Sequence, residues 1–190
     1  MSHTAPAVLP IHALLRTETA ALHRAVEAHL DLLRPCLTLT GYAEILSRFW
    51  CVYQPLEAAL DPILAAELPG YYPERRRLPS LEADLAWLKV DPAGLRPHPH
   101  IPAIPDLAAA LGALYVIEGS TLGGQVISRH LRLQFDLTPT RGASFFSGYG
   151  DATGARWREY LALLAQHDDR QRPDIVQAAQ DTFRCFLEPA

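Results

Sequence analysis

An all-α fold is predicted by two observations. Apolar residues recur at helical spacings of three, four and seven nearly everywhere, and alternating strand-like runs bounded by tight turns are absent. At 190 residues folding buries roughly 70% of the surface of the unfolded chain, enough to enclose a small molecule without disulfides or a structural metal. The expected organisation is a short N-terminal extension over residues 1–10, followed by one helical domain over residues 11–190.

The first helix is placed from Ile11 to His29, where Leu14, Leu15, Ala21, Leu22, Val26 and Leu30 make one apolar stripe. The second runs from about Tyr42 to Leu68 with Thr40 as its cap, and Pro55 and Pro62 are expected to bend or break it. A polar turn, PGYYPERRRLP, leads to a short helix from Ser80 to about Lys89. The proline-rich DPAGLRPHPHIPAIPD that follows is read as a loop. A third long apolar helix covers Leu107 to about Leu133, interrupted in its middle by EGSTLGGQ. After the loop FDLTPTRGASFFSGYG come helices from Thr153 to His167 and from Pro173, a good first-turn residue, to Leu187.

Charge and cysteine content narrow the function classes. The net charge of −4 gives no basic field for nucleic acid or anionic lipid. No apolar stretch approaches the ~20 residues of a membrane span, and MSHTAPAVLP lacks the basic and long apolar regions of a secretory signal, so a cytoplasmic location is expected. Cys36, Cys51 and Cys185 are odd in number and include no CxxC pair, which disfavours zinc and a disulfide framework. Lys89 is the only lysine among 17 basic residues, so any anion clamp must use arginine.

Two constellations carry chemistry. Gly119, Gly123, Ser120 and Gly124 fall at about 0°, 40°, 100° and 140° around a helix, a side nearly free of side chains. Three interior glycines cost roughly 1 kcal/mol each relative to alanine, and something must offset that. The bare face serves close packing on a neighbouring helix or the approach of a flat ligand. A phosphate cradle is disfavoured, because no strand precedes it and no lysine lies within it. The second constellation is His23 with Glu27, one turn apart on the first helix. A metal-bound imidazole commonly donates its second ring N–H to a carboxylate, and a lone histidine suits an iron already held by a macrocycle. A lone histidine is also common as an ordinary surface residue. His12, His29, His130 and His167 lack such a partner and, with His98 and His100 of the proline loop, are read as surface or loop residues.

The stretches LLRTETAALHRAVEAH, GALYVIEGSTLGGQVISRHL, FFSGYG followed by Trp157, and AAQDTFRCFL together resemble the heme oxygenases, most nearly the bacterial biliverdin-producing branch. The resemblance implies heme between a proximal helix and a kinked, glycine-rich distal helix. It implies His23 as the iron ligand, Glu27 as its hydrogen-bonding acid, and Gly119, Gly123 and Gly124 as the glycines over the porphyrin. Arg16 and Arg158 match propionate-pairing positions, and Phe183 matches an aromatic at the heme edge. Gly119, Ser120 and Gly123 would confine the oxygen and support the water that delivers protons. Heme would be both cofactor and substrate, with molecular oxygen as co-substrate and biliverdin, carbon monoxide and ferrous iron as products. An external ferredoxin or reductase is the implied electron donor, and a bilin-binding photoreceptor is a receiver of the product.

Two positions depart from the family pattern. Ser120 stands where the animal enzymes carry an aspartate, and Ala20 stands where relatives often place a lysine. The missing carboxylate keeps a second reading open, that of a non-catalytic heme-binding or heme-transfer protein. A more distant one is the related all-helical architecture of thiaminase-like or quinone-cofactor enzymes, which needs no iron ligand at His23.

Overall fold

A computed structural model describes residues 9–167 and 170–188. Six α-helices occur among these residues: α1 (Ile11–Leu30), α2 (Leu39–Glu67), α3 (Leu78–Trp87), α4 (Leu107–Phe135), α5 (Thr153–Leu164) and α6 (Arg172–Cys185). No strand occurs among them, and Thr138 makes only isolated bridges to Arg141 and Gly142. The expected extension lies outside the described residues except for residues 9 and 10. Helix α4 runs through the middle and packs most extensively on α6, which in turn carries α1, while α2 holds α3 and also meets α4.

The helix boundaries follow local chemistry. Thr38, not Thr40, caps α2: its backbone is extended and its hydroxyl accepts the Gly41 N–H at 3.0 Å, so Thr40 already lies inside the first turn. Helix α2 also runs unbroken through both prolines. Pro55 has no N–H to offer the Cys51 carbonyl four residues back, and the N–H of His98 in the proline-rich loop takes that place at 2.7 Å. Pro62 frees the carbonyl of Ala58, which is exposed and open to water.

The glycine segment does not interrupt α4, which is helical from Leu107 to Phe135. Ser120 Oγ and Thr121 Oγ1 donate back to the Ile117 and Glu118 carbonyls, each at 2.7 Å, and support the turn there. Helix α4 is long and apolar enough to cross a membrane, but most of its apolar window is buried inside the bundle, so its character is that of a core helix. Gly112 allows the tight approach of α6. A Cβ on it would lie 2.2 Å from the Ile175 carbonyl oxygen and 2.8 Å from Ala178 Cβ.

Four buried charged residues fasten the loops to this frame. Arg75, between α2 and α3, is fully buried and pairs with the fully buried Glu118 of α4 at 3.0 Å. Tyr149 donates to the other Glu118 oxygen at 2.9 Å, and the Arg75 guanidinium lies 4.1 Å over the Tyr71 ring and donates to Glu159 at 2.8 Å. Asp84 of α3 accepts the Ser144 and Phe145 N–H groups, both at 2.8 Å, and Arg77 donates to the Phe145 carbonyl at 2.6 Å. Burial pushes the Asp84 carboxyl up to about 6 against the two N–H groups that favour its anion. Gly142, at φ +80°, sits against the Trp87 ring in a backbone conformation that side chains rarely adopt.

Arg75→Met is expected to lower stability by about 3–5 kcal/mol, because it strands Glu118 in the core. The double replacement R75M/E118L should recover most of the loss, as read by thermal unfolding. Gly112→Ala is expected to cost about 1–3 kcal/mol by forcing α6 away from α4, measured by denaturant titration.

Candidate active site

Helix α1 begins as a regular amphipathic helix, and its less buried flank forms one wall of a cleft of ≈ 860 Å³. Residues spaced three and four apart on that flank, among them His12, Arg16, Thr19, His23 and Glu27, all line it. Helix α4 supplies another wall with Tyr115, Val116, Gly119, Ser120, Gly123 and Ile127. An aromatic back wall comes from Phe49 and Tyr53 of α2, Phe146 of the long loop, and Phe183 and Phe186 at the end of α6. Three exposed apolar side chains, Leu33, Leu122 and Val126, also line the cleft. A bound apolar molecule would cover them.

Of the residues predicted from sequence, the structure brings together Arg16, His23, Glu27, Gly119, Ser120, Gly123 and Phe183 on this cleft. His23 is exposed into it. Its Nδ1 lies 3.5 Å from Glu27 Oε2, and its ring meets the edge of Phe183 with centroids 5.7 Å apart at 83°. Phe183 is buried and limits how that imidazole can turn.

Two predicted residues are placed elsewhere. Gly124 is turned to the long loop, where a Cβ would lie 2.5 Å from the Phe146 carbonyl oxygen, so its lack of a side chain serves close packing. Arg158 is exposed and does not line the cleft, although its neighbour Trp157 does. The glycine run therefore divides. A Cβ on Gly123 would meet nothing within 4 Å, and one on Gly119 would meet only the Trp157 ring at 3.9 Å. At these two positions bare main chain faces open space, a cradle that side chains would fill.

Other residues of the cleft escaped the sequence reading. Tyr53 is buried, and its hydroxyl lies 3.4 Å from Ser120 Oγ, which itself donates to the Ile117 carbonyl. The serine proton is thus committed, and the Tyr53 O–H is the donor between the two. Burial pushes the Tyr53 hydroxyl up to about 12, so it keeps its proton at neutral pH. The available signal was a tyrosine on the buried stripe of α2, where a phenol requires a partner. His12 also departs from its surface assignment: it lines the cleft with its ring 5.8 Å from Trp157 and 6.5 Å from Tyr115. His98 lies in the proline-rich loop as expected but is buried there, and its Nδ1 lies 2.8 Å from the His100 carbonyl oxygen. Glu118 is next to Gly119 in the chain, but its pairing with Arg75 directs it into the core.

The arrangement fits a flat, largely apolar molecule carrying a metal at its centre. One imidazole is held on one wall, glycine main chain lies open on another, and aromatic rings close the back. No group of three or more metal-ligating side chains occurs among the described residues.

The heme oxygenase family model matches residues 9–189. A heme oxygenase of Xanthomonas campestris pv. campestris (strain 8004) is 33% identical over 147 residues, spanning 76% of this chain and 86% of that protein. Among solved structures, the NO- and CO-bound heme oxygenase of Neisseria meningitidis superposes with a TM-score of 0.74 at 23% identity, over 95% of this chain and 89% of that one. Heme oxygenase from Leptospira interrogans gives 0.72 at 20% identity, over 94% and 97%. Heme oxygenase-1 from the cyanobacterium Synechocystis sp. PCC6803, in complex with heme, gives 0.69 at 19% identity, over 94% and 90%. These structural likenesses establish a shared fold. With the family match spanning nearly the whole chain and a relative one-third identical, the chain belongs to the heme oxygenase family, the enzymes that degrade heme.

Proposed function

We propose that this protein binds heme in the cleft between α1 and α4 and cleaves it with molecular oxygen to biliverdin, carbon monoxide and ferrous iron, using electrons from an external ferredoxin or reductase. The observation that carries this reading is the pairing, in one cleft, of the His23 imidazole with the open main chain of Gly119 and Gly123. We place the reaction in the cytoplasm, in keeping with three cysteines that are all free thiols.

When bound, heme supplies the redox-active iron and is itself the molecule oxidised. His23 is the residue that would hold the iron. Glu27 stands on the Nδ1 side and favours the tautomer that protonates that nitrogen, leaving Nε2 as the ligating atom. Phe183 keeps the ring plane by its edge contact. On the glycine wall, the absence of side chains at positions 119 and 123 lets main chain come close to a planar ring and confines a small molecule bound there.

Proton supply rests on hydroxyls rather than on a carboxylate. Ser120 lies on the cleft between the two open glycines, and the Tyr53 O–H donates to it. An ordered water in the cleft would be anchored on Ser120 Oγ, and turning of the serine hydroxyl from the Ile117 carbonyl toward that water would connect the Tyr53 proton to the cleft. Phe49, Phe146 and Phe186 exclude bulk water behind it.

Reconstitution with hemin, oxygen and a reducing system is expected to bleach the Soret band and yield biliverdin; stable heme binding without turnover would support the heme-transfer reading instead. His23→Ala should change the ferric heme spectrum and sharply weaken binding, and an unchanged spectrum would show that another residue holds the iron. Tyr53→Phe is expected to slow ring oxidation on the order of 100-fold while leaving hemin affinity unchanged. A purely structural role would instead lower affinity and thermal stability together. Gly123→Leu should fill the open face and block or redirect ring cleavage, as read by product analysis.

A further inference from the structure

A second cavity, of ≈ 380 Å³, adjoins the cleft and shares Leu30, Phe49 and Phe186 with it. Its volume is in the range of small-molecule sites. Arg48, Val52, His98 and Cys185 line this cavity and not the cleft, so it has a chemistry of its own.

His98 is the buried polar residue of the lining, at 4% exposure, and its Nε2 has no hydrogen-bond partner among the described residues. A ring nitrogen left unpaired away from water costs free energy that a bound donor would return. The proline-rich loop fixes where that nitrogen stands. The His98 N–H donates to the Cys51 carbonyl at 2.7 Å, and Nδ1 faces the His100 carbonyl oxygen at 2.8 Å. The His100 N–H also lies 3.2 Å from Nδ1. The shorter contact decides the tautomer, because lone pairs on nitrogen and oxygen repel at that distance unless Nδ1 carries the proton. Nε2 is then a bare acceptor, and an O–H completes it.

The rest of the lining sets the body and the far end of the ligand. Phe49, Val52, Phe186 and Leu187 supply apolar walls, two of them aromatic, which suit a flat ring. Arg48 and His29 are exposed on the lining and offer donors, and Arg48, a permanent cation, has no partner among the described residues. Burial pushes the Cys185 thiol up to about 11, so it adds no charge, and the exposed Glu188 is the one carboxylate of the lining. Donors therefore outnumber acceptors at the open end, which favours an acid group over an amine.

We propose that this cavity is a second ligand site, taking a small hydroxylated aromatic acid whose O–H donates to His98 Nε2 while its carboxylate turns to Arg48. The site is independent of what the cleft holds. Its occupant would nevertheless press on Phe49 and Phe186, whose ring centroids each lie 6.0 Å from that of Tyr53, the phenol that donates to Ser120.

The test is titration of the full chain, heme-free and loaded with hemin, with meta- and para-hydroxybenzoate, benzoate and phenol, followed by ligand-detected NMR. One of the hydroxybenzoates is expected to bind with a Kd below about 1 mM. Benzoate and phenol, each lacking one polar end, should bind about tenfold more weakly. In His98→Phe, which keeps a ring in the wall, the hydroxybenzoate should fall to the level of benzoate. Arg48→Gln, at an exposed position, should weaken the hydroxybenzoate about tenfold and leave phenol unchanged. Hemin should not displace the probe. The site is refuted if neither hydroxybenzoate binds wild type, if H98F still prefers the hydroxybenzoate to benzoate, or if hemin displaces the probe and so places it in the cleft. Failure of hemin itself to bind would overturn the heme reading, and the heme-free titrations with the two variants would still decide this site.

Discussion

The buried pair of Arg75 and Glu118 fixes the rotation of α4 about its own axis, and the geometry of the cleft depends on that rotation. Both side chains are fully buried and 3.0 Å apart. A carboxylate in that setting tolerates no other orientation, since a partnerless charge in the core costs several kcal/mol. With residue 118 held toward the core, the next residue is about 100° further round the helix. Gly119, and Gly123 one turn later, then face the cleft. Tyr149 binds the remaining Glu118 oxygen, so the same carboxylate also secures the long loop on which Gly124 rests.

This arrangement explains why the glycines do two different jobs. Gly123 opens onto the cleft, whereas Gly124 lies against the Phe146 carbonyl. Close packing by Gly112 and Gly124 holds α4 against α6 and the loop, and that rigidity lets Gly119 and Gly123 remain bare without the helix collapsing into the space beside them. Ser120 stands at the boundary, and its bond to Ile117 together with the phenol of Tyr53 places an uncharged polar pair on the glycine wall of the cleft.

On the facing wall, α1 is less deeply buried, and its lining residues carry both signs of charge. His23 is exposed and oriented by contacts from two directions, Glu27 along its own helix and Phe183 from α6. Packing of α1 on α6 therefore couples the proposed ligand to the C-terminal end of the chain. An apolar ligand would cover Leu33, just beyond the end of α1, together with Leu122 and Val126 on the α4 wall.

The all-helical architecture, the number of long helices and most of their extents were legible in the sequence, because apolar periodicity reports directly which face of a helix is buried. The pairing of His23 with Glu27 was legible for a similar reason: neighbours one turn apart are local, and the helix alone brings them together. Tertiary structure decided what local spacing cannot contain. Pro55 leaves α2 intact only because the His98 N–H arrives from a distant loop, and Tyr53 reaches Ser120 across 67 positions of chain. The division between Gly123 and Gly124, the burial of His98 and the presence of His12 on the cleft likewise depend on which element lies opposite. Sequence sets the faces of each helix, whereas the partner of each face is set by packing among segments far apart in the chain.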